Sequence, residues 1–147
     1  MLLARSATLG VAESCTGGLI AQRLTSVAGS SRYFTGGFVT YSSELKMRLL
    51  GVQPDTLKAP GAVSEPVARE MAIGARRALG VDYAMSITGF AGPDGGTEAD
   101  PVGTWYVGLA HPDGCDVRRF QFIGDRERIR MLGSQSALDM LRRKLLQ

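Results

Sequence analysis

One histidine and two cysteines among 147 residues set the first limits on what this chain can do. A zinc centre of imidazole and thiolate ligands needs three or four such groups at short spacing. Cys15 and Cys115 stand far apart, and His111 falls in His111-Pro112-Asp113-Gly114, which reads as a turn. No metal and no cofactor is expected. The same shortage weakens a Ser-His-Asp or Cys-His mechanism, so any hydrolytic chemistry here needs a base other than histidine. No apolar run approaches the roughly 20 residues that span a bilayer. Met1 to Val11 lacks the charged start and apolar stretch of a signal peptide. A cytoplasmic protein with no membrane partner is therefore expected.

Aromatic residues are scarce too, at 7%, and they do not interleave with the basic ones. The formal charge of +3 owes much to Arg126, Arg128, Arg130, Arg142, Arg143 and Lys144 near the C-terminus. A solvated helix face accounts for the last three, and nucleic acid is not an expected partner. What remains, 44% hydrophobic and 21% charged, is the composition of one ordinary globular domain.

Strand and helix patterns alternate without repeats or linkers. Residues 7–12 read as a buried strand and 19–27 as a helix; 36–41 read as a second strand and 44–50 as a short helix stopped by Gly51. Ser64 is a plausible N-cap for a helix over 65–79, with Pro66 in its first turn and Gly80 after its end. Residues 82–88 form the next strand, and 102–110 with 116–123 an antiparallel pair about Pro112-Asp113-Gly114. Asp125 can cap a final helix whose core side holds Ile129, Leu132, Ser136, Met140 and Leu145. The alternation predicts an α/β domain with helices on both faces of a mixed sheet, and ligands in such domains bind where loops leave the carboxyl ends of strands.

Four places could carry chemistry. In Glu13-Ser14-Cys15-Thr16-Gly17-Gly18 a strand passes at once into a helix, which puts Ser14 on a tight turn beside unpaired backbone N–H groups. Those groups favour an anion or the oxyanion of an acyl-transfer intermediate; the same pattern also serves as a plain helix cap. Cys15 is the rival nucleophile at that turn. In Thr40-Tyr41-Ser42-Ser43-Glu44-Leu45-Lys46, Lys46 sits one turn inside a helix. It can act as a general base if burial lowers its pKa, and is otherwise a solvated lysine. Thr88-Gly89-Phe90-Ala91-Gly92-Pro93-Asp94-Gly95-Gly96 is a ligand loop by its glycine content, but neither a P-loop nor a dinucleotide fingerprint. Asp94, Glu98 and Asp100 read as an acidic turn, not a calcium loop. Arg126 and Arg130, one turn apart, could converge on a phosphate or simply charge a helix end.

Taken together, these segments resemble the CinA C-terminal domain. The resemblance rests on Ala12-Glu13-Ser14-Cys15-Thr16-Gly17-Gly18, Phe38-Val39-Thr40-Tyr41-Ser42 with Lys46, and Gly61-Ala62-Val63-Ser64-Glu65. It extends through the Thr88–Gly96 loop, Pro101-Val102-Gly103-Thr104 and Gly124-Asp125-Arg126, in order along nearly the whole chain. Stand-alone members are the PncC-type amidases. The resemblance implies a three-layer α/β/α sandwich over residues 1–147, a homo-oligomer, and hydrolysis of the carboxamide of nicotinamide mononucleotide (NMN) to nicotinic acid mononucleotide and ammonia.

By position, the resemblance makes Ser14 the nucleophile and Lys46 its base, with Tyr41 placing Lys46 or relaying a proton. Backbone N–H groups of Cys15, Thr16 and Gly17 would hold the oxyanion. Thr88, Gly89, Ala91, Gly92, Asp94, Gly95 and Gly96, with Arg126 or Arg130, would hold ribose and phosphate. Two departures stand out: Ser43 replaces an asparagine common in the family, and the helix that usually precedes the first strand is largely missing. The alternative expectation is a non-catalytic nucleotide-binding or regulatory module, connected through the CinA name with competence and DNA damage.

Overall fold

The computed structural model describes residues 1–147. Five strands, β1 (Leu9–Glu13), β2 (Phe34–Val39), β3 (Tyr83–Gly89), β4 (Thr104–His111) and β5 (Gly114–Gln121), form one sheet in the order β2-β1-β3-β4-β5. β1 pairs in parallel with β2 and β3, whereas β4 runs antiparallel to both β3 and β5. The chain is thus a single mixed α/β sheet. Helices α1 (Leu19–Thr25) and α5 (Arg126–Lys144) lie on one face, while α2 (Ser43–Leu50), α3 (Pro54–Lys58) and α4 (Glu65–Leu79) lie on the other.

Burial follows position in the sheet. All five residues of β1 are buried, as befits a strand covered on both faces, whereas the edge strand β2 alternates between half-buried and exposed. The larger core, on the α1/α5 face, joins Leu9, Val11, Ile20, Ile87, Trp105 and Ile129. The smaller one, under α4, joins Ala12, Leu50, Val67, Met71 and Ala75. Helix ends follow their residues. Ser42 Oγ accepts from Leu45 N to cap α2, Asp125 Oδ1 accepts from Arg128 N to cap α5, and Gly51 and Gly80 close α2 and α4 in the left-handed conformation.

Three expectations need correction. Ser64 is the N-cap residue of α4, but its side chain makes no capping bond, because its hydroxyl donates to Gly61 O at 2.7 Å. The inner stripe of α5 is Ile129, Gly133, Ser134, Ala137, Met140 and Leu141, with Leu132 and Ser136 only half-buried. The helix turns its small residues inward because Trp105 fills the space: a Cβ on Gly133 would come within 2.5 Å of the indole ring. His111 is the buried last residue of β4, since the β4–β5 ladder runs on to the pair His111–Gly114. The short helix α3 and the 3-10 turns at Leu3–Arg5 and Ser30–Arg32 had no periodicity to announce them.

The connection leaving β1 runs through α1 on one face, and that leaving β2 runs through α2 on the other. This divergence falls at the carboxyl ends of neighbouring strands, the topology at which α/β sheets bind ligands.

Packing between α2 and α4 gives a stability test. A Cβ on Gly74 would collide with the Leu50 carbonyl oxygen. In an exposed helix, replacing glycine by alanine gains up to about 1 kcal/mol. Here Gly74→Ala should lose about 1–3 kcal/mol through overpacking, seen as a lower urea midpoint; a higher midpoint would contradict the close approach.

Candidate active site

The turn that follows β1 is shaped by what its peptide groups bond to. Ser14 N–H donates to Ile87 O at 3.2 Å, carrying the β1–β3 ladder one residue further. Gly17 N–H then folds back onto Ser14 O at 2.9 Å, with Gly17 at φ 60° and Gly18 at φ 98°, where a side chain would be strained. From α5, Arg130 reaches over to donate through Nε to Cys15 O at 3.1 Å and through Nη2 to Thr16 O at 2.6 Å. Carbonyl and N–H of one trans peptide point in opposite directions. Holding the carbonyls of Ser14 and Cys15 therefore turns the amides of Cys15 and Thr16 the other way, and neither of these two donates within the protein. Two oriented, unspent donors beside a serine hydroxyl are what an oxyanion site requires.

This differs from the expected arrangement in two respects. Gly17 N–H is spent on Ser14 O. The first amides of α1 are also occupied: Glu13 Oε2 accepts from Gly18 N (3.1 Å) and Ile20 N (3.0 Å), and Oε1 from Ala21 N (2.8 Å). The candidate oxyanion site thus belongs to the turn and not to the helix N-terminus.

Lys46 comes from α2, on the opposite face of the sheet from α1. Its side chain is 2% exposed and no carboxylate pairs with it. Nζ lies 3.1 Å from Ser14 Oγ and donates to Thr40 O at 2.6 Å. Thr40 is itself fixed, since its N–H donates to Glu13 O at 2.8 Å. Burial disfavours the ammonium form and lowers the Lys46 pKa from its ordinary value of 10.5; the nearby Cys15 opposes the shift more weakly. The neutral amine can give one N–H to Thr40 O and offer its lone pair to the Ser14 hydroxyl, the geometry of a base beside its nucleophile. Cys15 takes the opposite course: burial pushes its thiol up to about 12, which leaves almost no thiolate at neutral pH.

The remaining expected residues divide. Tyr41 is exposed and bonds to neither Ser14 nor Lys46; its hydroxyl accepts from Arg126 Nη2 at 3.2 Å. The contact expected of Tyr41 is made instead by the backbone of its neighbour Thr40. Arg126 also donates through Nη1 to Gly92 O at 2.7 Å, which ties the glycine-rich loop to the start of α5 and, through Tyr41, to the segment after β2. Arg130 is committed to the turn. Thr88 is buried and its hydroxyl donates to Ala62 O at 2.8 Å, so it braces the loop before α4. Gly89 lies against Trp105, where a Cβ would come within 2.7 Å of the ring. Ala91 and Gly92 are buried; Asp94 and Gly95 are exposed and Gly96 half-buried, at the outer part of the loop. Asp100 accepts from Tyr106 Oη and Arg119 Nε, each at 3.0 Å, and anchors the loop's far end to β4 and β5.

Glu13 and Thr40 were not singled out from sequence. Glu13 had a signal, a carboxylate just before a helix start that lacks a Ser, Thr, Asp or Asn cap at Gly18. Thr40 had none, because it acts through its backbone.

A family profile described as the CinA C-terminal domain matches residues 1–145. A CinA-like protein of Solibacter usitatus is 56% identical over 139 residues, covering 95% of this chain and 33% of the relative. A putative competence-damage inducible protein of Moorella thermoacetica is 54% identical over 145 residues, 99% of this chain and 35% of the relative. The chain spans about a third of the length of these relatives. Among solved structures, the competence damage-inducible protein A of Klebsiella pneumoniae superposes with a TM-score of 0.95 at 36% identity, covering 99% of this chain and 90% of that one.

Lysine burial predicts a pH dependence. Between the lowered pKa of Lys46 and 10.5 the unfolded chain binds the proton that the folded one lacks, so stability rises with pH across that window. Subtracting the pH–stability curve of Lys46→Met from that of the parent isolates this slope. A flat difference curve would mean that Lys46 keeps its ordinary pKa.

Proposed function

The chain belongs to the CinA C-terminal domain family, and on that footing we propose that it is a serine amidohydrolase that deamidates NMN. The observation that carries the reaction type is the buried Lys46 Nζ, 3.1 Å from Ser14 Oγ, beside the unspent amides of Cys15 and Thr16. The choice of substrate rests on the likeness to the PncC-type amidases. No helix is long and apolar enough to cross a membrane, and the reading includes a cytoplasmic, homo-oligomeric enzyme.

In this mechanism Ser14 Oγ attacks the carboxamide carbon while its proton passes to neutral Lys46. The carbonyl oxygen takes up negative charge against the amides of Cys15 and Thr16, where fixed donors in a dry site act most strongly. Lys46, now an ammonium, returns the proton to the departing nitrogen; ammonia leaves and an acyl-enzyme remains. Water then attacks the ester carbon, Lys46 again takes a proton, and Ser14 is released with the product acid. Thr40 O holds the amine in place in both protonation states, since each can donate to it. The loop Gly89–Gly96, with Arg126 at its edge, is the proposed seat of ribose and phosphate. Arg130 serves the turn.

The direct test is ammonia release from NMN by the purified protein. Ser14→Ala should lower kcat by about three orders of magnitude or more, and Lys46→Ala by a comparable factor, as the loss of a nucleophile or its base does in serine hydrolases. The kcat of the parent should fall with decreasing pH through one ionisation lying below 10.5, as Lys46 becomes protonated. Release no faster than from Ser14→Ala rejects the amidase; NMN binding without turnover would then favour the regulatory module.

A further inference from the structure

Glu13 takes no part in the proton transfers above, although it adjoins the nucleophile and is sealed from solvent. A buried carboxylate without a cation is expensive unless hydrogen bonds replace its lost hydration. Three amides of α1 do so here, and no lysine or arginine pairs with Glu13. A serine or aspartate at the N-cap would serve those amides at lower cost. The N-cap is instead Gly18, and the cap comes from the far side of the Ser14 turn.

One residue therefore grips both ends of that turn. The Glu13 backbone is locked in β1, and its carbonyl accepts from Thr40 N, whose residue in turn holds Lys46. Its carboxylate fixes the point where the chain enters α1. Between these anchors only Ser14 to Gly17 remain, and the two amides left unspent are those of Cys15 and Thr16. With the first amides of α1 filled by a negative group, an anionic part of a substrate cannot settle there. The remaining donors are reserved for charge that appears only as the carbonyl is attacked.

We propose that Glu13 is the positioning residue of the oxyanion site, setting the direction of the Cys15 and Thr16 amides through the turn it clamps. This rests on acyl transfer at Ser14, as read above, but not on NMN being the substrate.

The test compares the parent with Glu13→Gln, which keeps the length of the side chain but places an NH2 against backbone N–H donors. Two readouts are taken on protein shown to be folded by circular dichroism: kcat and KM for NMN, and the rate at which a fluorophosphonate labels Ser14. The phosphoryl oxygen of the probe needs the same two donors whatever the natural substrate. Expected are a fall in kcat of about ten- to a hundredfold with KM within about twofold, and a parallel fall in labelling. Unchanged kcat and labelling, or a rise in KM alone, would overturn the proposal.

Should Glu13→Gln fail to fold, Ala21→Pro removes one of the three amides while leaving the carboxylate, at the third residue of α1, whose N–H has no partner within the helix. It should slow both readouts about three- to tenfold, and undiminished rates would refute the clamp. A parent that labels but leaves NMN intact defeats the substrate assignment only, and labelling alone then decides on Glu13. A parent that does neither defeats both.

Discussion

Burial of one amine without a counter-ion governs the architecture of this site. Lys46 is enclosed between its own helix and the end of β1, its hydrogen-bond partners being the Thr40 carbonyl and the Ser14 hydroxyl. An ammonium in that position would keep two hydrogen bonds but lose most of its hydration, a loss that such contacts do not restore. Burial therefore favours the neutral amine, the form in which a lysine beside a serine can act as a base. The same burial raises the pKa of Cys15, since desolvation disfavours an acid that ionises to an anion. Adjacent residues in one dry site are thus shifted in opposite directions, the lysine downward and the cysteine upward.

The rest of the fold can be understood as the means of enclosing that amine. Parallel pairing of β1 and β2 brings their carboxyl ends level, and the segments that leave them for opposite faces meet there through Lys46 and Ser14. Each segment is held by a long-range bond from elsewhere in the chain: Arg130 from α5 on the Ser14 turn, Glu13 O on the Thr40 backbone, and Arg126 between Tyr41 and Gly92. Because these contacts join segments far apart in sequence, the site exists only when the whole domain is folded.

Much of this was legible in the sequence. Strand and helix alternation gave all five strands and the four longer helices, because apolar periodicity and the punctuating Gly51 and Gly80 are local properties. The scarcity of histidine pointed to another base, and family likeness supplied Lys46. Errors arose wherever one element had to know about another. The inner stripe of α5 is set by the bulk of Trp105 on β4, His111 is buried by a ladder that outlasts its Pro-Gly surroundings, and Ser64 bonds backward to Gly61. Of the three amides expected to hold an oxyanion, only that of Gly17 is lost, because the turn folds it back onto Ser14 O. Tyr41 and Thr40 show a further limit, since a backbone carbonyl leaves no trace in residue type.

Trp105 has a consequence of another kind. It is the one tryptophan of the chain and is wholly buried, with Gly133 of α5 against one part of its ring and Gly89, at the start of the glycine-rich loop, against another. Its indole N–H has no hydrogen-bond partner. The emission of such a chromophore depends on the packing and polarity around it, and here those belong to the hinge of the loop and to the helix that carries Arg126 and Arg130. The domain therefore has a single tryptophan fluorophore, at the joint between its scaffold and the glycine-rich loop. Rearrangement of that loop would be written into the protein's own light, with no label attached.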